Sequence, residues 1–427
     1  MKIILILLDG IGDRAYKELD RKTPLQAADT PNMDCLARMG SNGLFHASIP
    51  GECLPSEIAH YSIFGYDINS FPGRGLFEAV GDGVVFDDRD VLCLSHLTGI
   101  DWSDNIPYLM RGRDETAGTR EELGELFKSL SGFESEGISF RLVQTRRNDA
   151  IVIMSGGASP FITDSDPIII GNKIAMVLPV KNNPEPEMAD RTARAMYEYL
   201  SFCHGALTKK KKSANFLVTQ RCGRRAEQVP FEKLWGLKGL LIASGSMYMG
   251  LAREIGMDCK KVTDSGDVAG DLKSRIEIAL NDDRHDFFHV HTKVPDETAH
   301  KGTPADKRDA LSELDKGLLK IVSMIKNEED LAVAVTGDHS TPSDSLLIHS
   351  GEPVPLTINC PNVRRDSVKR FDEINAGKGC LGFLKGKELL LMLLNYSDRS
   401  VLKSHQLGGD IRTYYPENYP VFQMPEK

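Results

Sequence analysis

Three aspartates and three histidines of this chain stand where its apolar runs break off. Asp9 ends the run Ile3 to Leu8, and the run Leu331 to Val335 gives way to Thr336-Gly337-Asp338-His339. His349 follows in a segment rich in Ser, Gly and Pro. Beyond the apolar stretch at 285–292, "KVPDETAHKG" supplies Asp296 and His300, four residues apart and so on one face if this turn is helical. Asp338 and His339 are adjacent, so their side chains are expected to diverge, each toward a different ion or one bracing the other. Three carboxylates and three imidazoles suit one or two divalent ions of the manganese, cobalt or zinc type. Any one of these residues alone reads as a loop cap. Their shared position reads as a metal site, because ligands of a parallel α/β sheet collect outside the carboxyl ends of its strands.

A nucleophile is offered by "CLPSEIAHYSIFGYD" (53–67), where Pro55-Ser56-Glu57 opens an amphipathic segment with Ser56 at or near a helix N-cap. A capping serine is the plain reading. The same position also faces backbone N–H groups that favour an anion, and a metal ion nearby would turn the hydroxyl into an attacking alkoxide. His60, one turn on, reads as part of a polar helix face, with a group bracing the metal ligands as the alternative. In "FPGRGLFEAVGDG" (71–83), Arg74 lies between glycines that let backbone approach a ligand, and arginine grips phosphate or carboxylate with two N–H groups. A surface arginine in a turn is the alternative.

The elements that must carry these residues are legible as apolar runs at 2–10, 236–244, 285–292 and 330–338, alternating with helical segments such as 189–207 and 307–330. In the second helical segment Leu311, Leu314, Leu318 and Ile321 follow a helical period. Strand–helix alternation predicts a parallel sheet covered on both faces, an α/β core. From about residue 76 to 230 the pattern is mixed, with strands expected at 141–157 and 172–180, and reads as a second domain inserted into the core. The basic run 207–225 closes it, as a solvated surface or with its later arginines reaching an anion.

Composition sets the class. The 427 residues suffice for one large core plus a second domain, and a formal net charge of −9 argues against nucleic acid as partner. Eight scattered cysteines form no Cys-x-x-Cys pair, which fits free thiols in a reducing cytoplasm. The amino-terminal run is six residues long and ends in an acid without a cleavage site, so it reads as a buried strand rather than a signal peptide. No run of about 18 apolar residues predicts a membrane span.

Six segments in order, "LILLDGIGDR", "KTPLQAADTPNMDCLARMGSNGL", "PSEIAHYSIFGYD", "GRGLFEAVGDG", "TKVPDETAHKG" and "TGDHSTPSDSLLIHSGEPVPL", resemble the archaeal-type, cofactor-independent phosphoglycerate mutases of the alkaline phosphatase superfamily. The resemblance implies a three-layer α/β/α metal-binding core over 1–75 and 231–427, with a smaller α+β substrate-binding or lid domain at 76–230. It implies two divalent ions (Mn, Co, Zn or Mg), one held by Asp9, Ser56, Asp338 and His339, the other by Asp296, His300 and His349. The implied reaction is interconversion of 3-phosphoglycerate and 2-phosphoglycerate in glycolysis and gluconeogenesis. Ser56 would pass through a phosphoserine, while Arg74, Lys293, Arg146 and Arg147 would hold the small phosphorylated substrate.

Two departures stand out. Met249 occupies a place where the family pattern suggests lysine, and Pro-Ser-Glu replaces the more usual Gly-Ser-Asp. Asp149 is the candidate proton shuttle, with a loop-capping role as the alternative. The same metal core would also serve a phosphatase, phosphodiesterase or phosphonate hydrolase, or a silent metal-binding sensor, which the intact Ser56 argues against. A Rossmann-type nucleotide site is excluded because no G-x-G-x-x-G follows the first strand.

Overall fold

The computed structural model describes residues 1–112, 118–210, 213–327 and 329–424. Lys211 and Lys212 of the basic run, and Glu328 at the end of the segment 307–330, lie outside the described residues. The chain divides into two units. The first comprises Met1–Phe71, Val229–Gly245 and Ile255–Lys427, and the second Pro72–Gln228 with Ser246–Glu254.

The first unit is built on an eight-stranded sheet whose middle runs Gly239–Ala243, Phe287–Thr292, Lys2–Leu8, Leu331–Thr336, Val354–Asn359. The first four of these are mutually parallel and Val354–Asn359 is antiparallel to its neighbours. Successive strand residues point to opposite faces, and every residue of Phe287–Thr292 and Leu331–Thr336 is buried, so helices must cover both faces. The register then places the chemistry. Leu8 pairs with Thr292 and Leu7 with Thr336, so the three central strands end side by side and deliver Asp9, Lys293 and Asp338 to one rim.

The helical segment expected at 307–330 is two helices, Pro304–Lys316 and Leu319–Lys326. The break falls at Gly317, where an added Cβ would lie 2.9 Å from the Ala269 carbonyl; this turn packs directly on helix Val268–Asn281.

The second unit is α+β: a five-stranded antiparallel sheet, with strands Val91–Thr98, Asp149–Ser155 and Phe216–Arg224 adjacent, and the long helix Pro186–Lys209. The stretch 141–157 is a hairpin of Ile138–Gln144 and Asp149–Ser155, turned at Arg146-Arg147-Asn148. The stretch 172–180 forms no strand; it makes isolated bridges at Lys173 and Pro179 and scattered backbone hydrogen bonds to Pro107, Phe161, Thr163 and Ser165. Helix Ser246–Glu254, placed by sequence within 231–427, groups with the second unit. Gly81 and Gly250 let it lie against helix Arg74–Gly81 without side chains between their backbones. Among the described residues no helix is long and apolar enough to cross a membrane.

Candidate metal centre

Asp9 leaves the first strand completely buried, and the loop behind it turns at Gly10. Asp338 leaves strand Leu331–Thr336 beside it. Its Oδ1 accepts from the Gly10 and His339 backbone N–H groups, both at 3.1 Å. That leaves Oδ2 turned inward, 3.3 Å from His339 Nε2, where no hydrogen-bond donor meets it among the described residues. The expected divergence of Asp338 and His339 is therefore corrected: both turn to one point, because Asp338 is pinned by backbone on its far oxygen. Asp9 Oδ1 lies 3.3 Å from the same imidazole nitrogen. Ser56, the first residue of helix Ser56–Ile63 with Pro55 as N-cap, does not cap; its Oγ is 3.1 Å from His339 Nε2.

A second group lies at the start of helix Val294–Lys301. Asp296 Oδ1 is 3.2 Å from His300 Nε2, one turn on, and 3.5 Å from His349 Nε2. His349 Nδ1 donates to the Leu54 carbonyl at 2.7 Å, which leaves Nε2 as the nitrogen facing Asp296. The rings of His339 and His349 stack at 3.8 Å, so the two groups are contiguous. Donor atoms of Asp9, Asp338 and His339 fall within one metal-sized cluster, and those of Asp296, His300 and His349 within another.

The electrostatics favour a cation here. Burial, with Asp9 and Asp296 nearby, pushes the Asp338 carboxyl well above the ordinary range. Burial drives the other way at Asp296 too, but hydrogen bonds from His300 and His349 overcome it and hold that carboxyl far below the usual value. Burial, then His349, pushes His339 down to about 3, so the imidazole is neutral, as a ligand must be. The buried carboxyl oxygens of Asp9 and Asp338, packed against the His339 imidazole nitrogen, are best matched by a positive ion joining the three. The residues present therefore fit divalent ions.

Beneath this rim, His60 takes the bracing role that was the alternative in sequence, while His289 and His291 were missed. His60 is no polar helix face: it is fully buried, donates from Nδ1 to the Ser56 carbonyl at 2.8 Å, and lies 3.5 Å from Asp338 Oδ2. His291 donates to Asp9 Oδ2 at 3.1 Å, and His289 packs edge-on against His60 with neither ring nitrogen hydrogen-bonded among the described residues. The signal was the two-residue spacing of His289 and His291, which puts both on one face of an apolar strand.

In the second unit Arg74 opens helix Arg74–Gly81 rather than a turn. It bonds Glu78 at 3.0 Å, and Arg146 meets the other oxygen of Glu78 at 3.0 Å. Arg147 instead donates to the Gly118 carbonyl. Asp149 is buried at the start of its strand, opposite His96. Met249 is 1% exposed on helix Ser246–Glu254, an apolar packing position. In the first unit Lys293, half-buried, stands at the N-cap of helix Val294–Lys301.

Residues 1–396 match the Metalloenzyme superfamily. A 2,3-bisphosphoglycerate-independent phosphoglycerate mutase from Methanocaldococcus jannaschii is 35% identical over 98% of this chain and 98% of its own. One from Methanopyrus kandleri is 33% identical over 93% and 97%. Among solved structures, a protein from Pyrococcus horikoshii superposes with a TM-score of 0.73 at 28% identity over 94% and 98% of the two chains. A cofactor-independent phosphoglycerate mutase from Thermoplasma acidophilum gives 0.61 at 26% identity over 93% and 100%.

Proposed function

The chain belongs to the family of 2,3-bisphosphoglycerate-independent phosphoglycerate mutases, and from that premise we propose that Ser56 carries the phosphoryl group between the 3- and 2-oxygens of glycerate. The observation that carries this reading is the Ser56 hydroxyl at 3.1 Å from His339 Nε2, on a nitrogen that Asp9 and Asp338 also approach.

In this reading Asp9, Ser56, Asp338 and His339 hold one divalent ion, and Asp296, His300 and His349 the other, from among manganese, cobalt, zinc and magnesium. When bound, such ions supply the positive charge that offsets phosphoryl oxygens and lowers the pKa of a serine hydroxyl. Ser56 Oγ attacks phosphorus, the bond from phosphorus to the 3-oxygen breaks, and glycerate is left beside a phosphoserine. The 2-oxygen of the same glycerate then attacks phosphorus and the bond to Ser56 Oγ breaks, regenerating the serine. The hydrogen bond of His60 to the Ser56 carbonyl fixes the backbone from which the nucleophile projects.

Glycerate must stay while it changes oxygens, or water takes the phosphoryl group. We assign its carboxylate to the cations Arg74, Arg146, Arg147 and Lys293. The second unit, with three of these, serves as the substrate-holding and lid domain. Glu78, which is buried, bonds Arg74 through one oxygen and Arg146 through the other, and so orients two guanidinium groups together.

The test is to quench the enzyme with acid during turnover of 3-phosphoglycerate and map phosphoryl adducts by mass spectrometry. The adduct is expected on the peptide carrying Ser56. Formation of 2-phosphoglycerate with no adduct there in any quench excludes Ser56 as carrier.

A further inference from the structure

We propose that the Thr341 hydroxyl is a positioning group shared by the two ligand sets, fixing the tautomer of His339 and the donor oxygen of Asp296 together. This rests on the metal reading above. Thr341 is fully buried; its Oγ1 lies 2.7 Å from Asp296 Oδ1 and 3.1 Å from His339 Nδ1. A hydroxyl has one hydrogen to give. That hydrogen goes to Asp296 Oδ1, the shorter contact, so the Thr341 oxygen must accept from His339 Nδ1–H. The chain of donors thus runs in one direction, from His339 through Thr341 to Asp296.

The consequence falls on the far nitrogen. With its hydrogen on Nδ1, neutral His339 presents a bare Nε2 to Ser56 Oγ, Asp9 Oδ1 and Asp338 Oδ2. Without the hydroxyl, Asp9 Oδ1 at 3.3 Å would draw the hydrogen to Nε2, which would then pair with it and have no lone pair for an ion. Asp296 Oδ1 would lose its fixed donor at the same time. Thr341 therefore acts on both groups through one atom.

The fold over-determines this side chain. Thr341 N donates to the Gly12 carbonyl at 3.0 Å, and the Thr341 carbonyl accepts from buried Lys307 Nζ at 2.8 Å. On the other side Gly10 leaves the room: an added Cβ would lie 2.5 Å from Thr341 Oγ1 and 2.8 Å from Asp296 Cβ. Its φ of +67° favours glycine as well.

The experiment uses the full chain, stripped with chelator and titrated with cobalt(II), followed by visible absorption and calorimetry. Thr341→Val, nearly isosteric, is expected to weaken both binding events by about 10- to 100-fold, the usual loss on removing a group that orients a ligand. Thr341→Ser, which keeps the hydroxyl, should bind both ions within about threefold of wild type. Nitrogen-15 NMR of the metal-free wild type should show His339 as the Nδ1–H tautomer, and this needs no variant to fold. An Nε2–H tautomer in wild type, unchanged binding in Thr341→Val, weakening of one event only, or failure of the serine variant to restore binding overturns the inference. Wild type that takes up no cobalt overturns the metal reading and this inference with it. Two ions in wild type with an unaffected valine variant overturns this inference alone.

Discussion

Lys307 has no exposed surface, yet it carries an ammonium group whose environment holds the two halves of the rim together. Its Nζ donates to the Gly12 carbonyl at 2.9 Å and the Thr341 carbonyl at 2.8 Å, and lies 3.2 Å from Asp13 Oδ2. Gly12 and Asp13 follow Asp9, and Thr341 follows His339, so one side chain clamps the loops after two adjacent strands. Removing one partner of a buried ion pair costs about 3–5 kcal/mol, because the other charge stays buried and unmatched. Here the lower end applies. Asp13 keeps hydrogen bonds from Tyr16 and Ser343, both at 2.6 Å, and the Gly12 carbonyl keeps the Thr341 N–H. Lys307→Met is therefore expected to cost about 3 kcal/mol. Asp13→Asn should be costly alone, since it leaves the ammonium short of its counter-charge. The two together should cost about 2 kcal/mol less than their sum, because no lone charge is then left behind.

The assay is urea unfolding with chelator present, so that ion binding adds nothing to the stability of the folded form. Of the two tryptophans, Trp235 is buried in the first unit and Trp102 is exposed in the second. A Trp102→Phe background makes fluorescence report the first unit alone. A cost below about 1 kcal/mol for Lys307→Met, or additivity within about 0.5 kcal/mol, refutes the clamp.

Three further outcomes are expected. Ser56→Ala should lower turnover by about 10⁴-fold or more while the protein stays folded and still takes up metal by elemental analysis; retained turnover removes Ser56 from the reaction. Arg146→Met should lower kcat/KM for 3-phosphoglycerate by roughly 10- to 100-fold, the value of one charge-assisted contact, and raise the share of free phosphate in the product; an unchanged kcat/KM removes Arg146 from the substrate site. Glu373 has its carboxyl surrounded by protein beside Asp13 and Thr23, and burial pushes it up from 4.5 to about 7. Its folded state binds the proton more tightly than the unfolded state, so its contribution is full below about pH 4.5 and is lost as pH rises through about 7. The loss is on the order of 3 kcal/mol, and Glu373→Gln should flatten that slope in urea midpoints.

The rim was legible because polar residues that stop an apolar run must sit at a strand end, and Asp9 and Asp338 did so within strands readable by length alone. Asp296 and His300 were legible from spacing, which the helix Val294–Lys301 realises. What lay beneath was hidden by averaging. His289 and His291 sit in a run with Phe287, Phe288 and Val290, so the segment read as plain core although one face is imidazole. Lys307 stands one turn before Leu311 on the buried side of its helix, where a lysine ordinarily marks the wet face. Thr341 carries no pattern at all; its role comes from two loops meeting across 45 residues of sequence to Asp296. The stretch 172–180 misled because its alternating apolar residues, Met176, Leu178 and Val180, are exposed and pair with no neighbouring strand.

The central claim is metal-dependent transfer within one substrate molecule. Chelator-stripped protein should be given manganese, cobalt, magnesium or zinc separately, then 3-phosphoglycerate without 2,3-bisphosphoglycerate, with phosphorus NMR following both products. The account predicts 2-phosphoglycerate only when a metal is present, with little free phosphate. Free phosphate as the main product, or equal 2-phosphoglycerate formation in stripped and reconstituted samples, contradicts it.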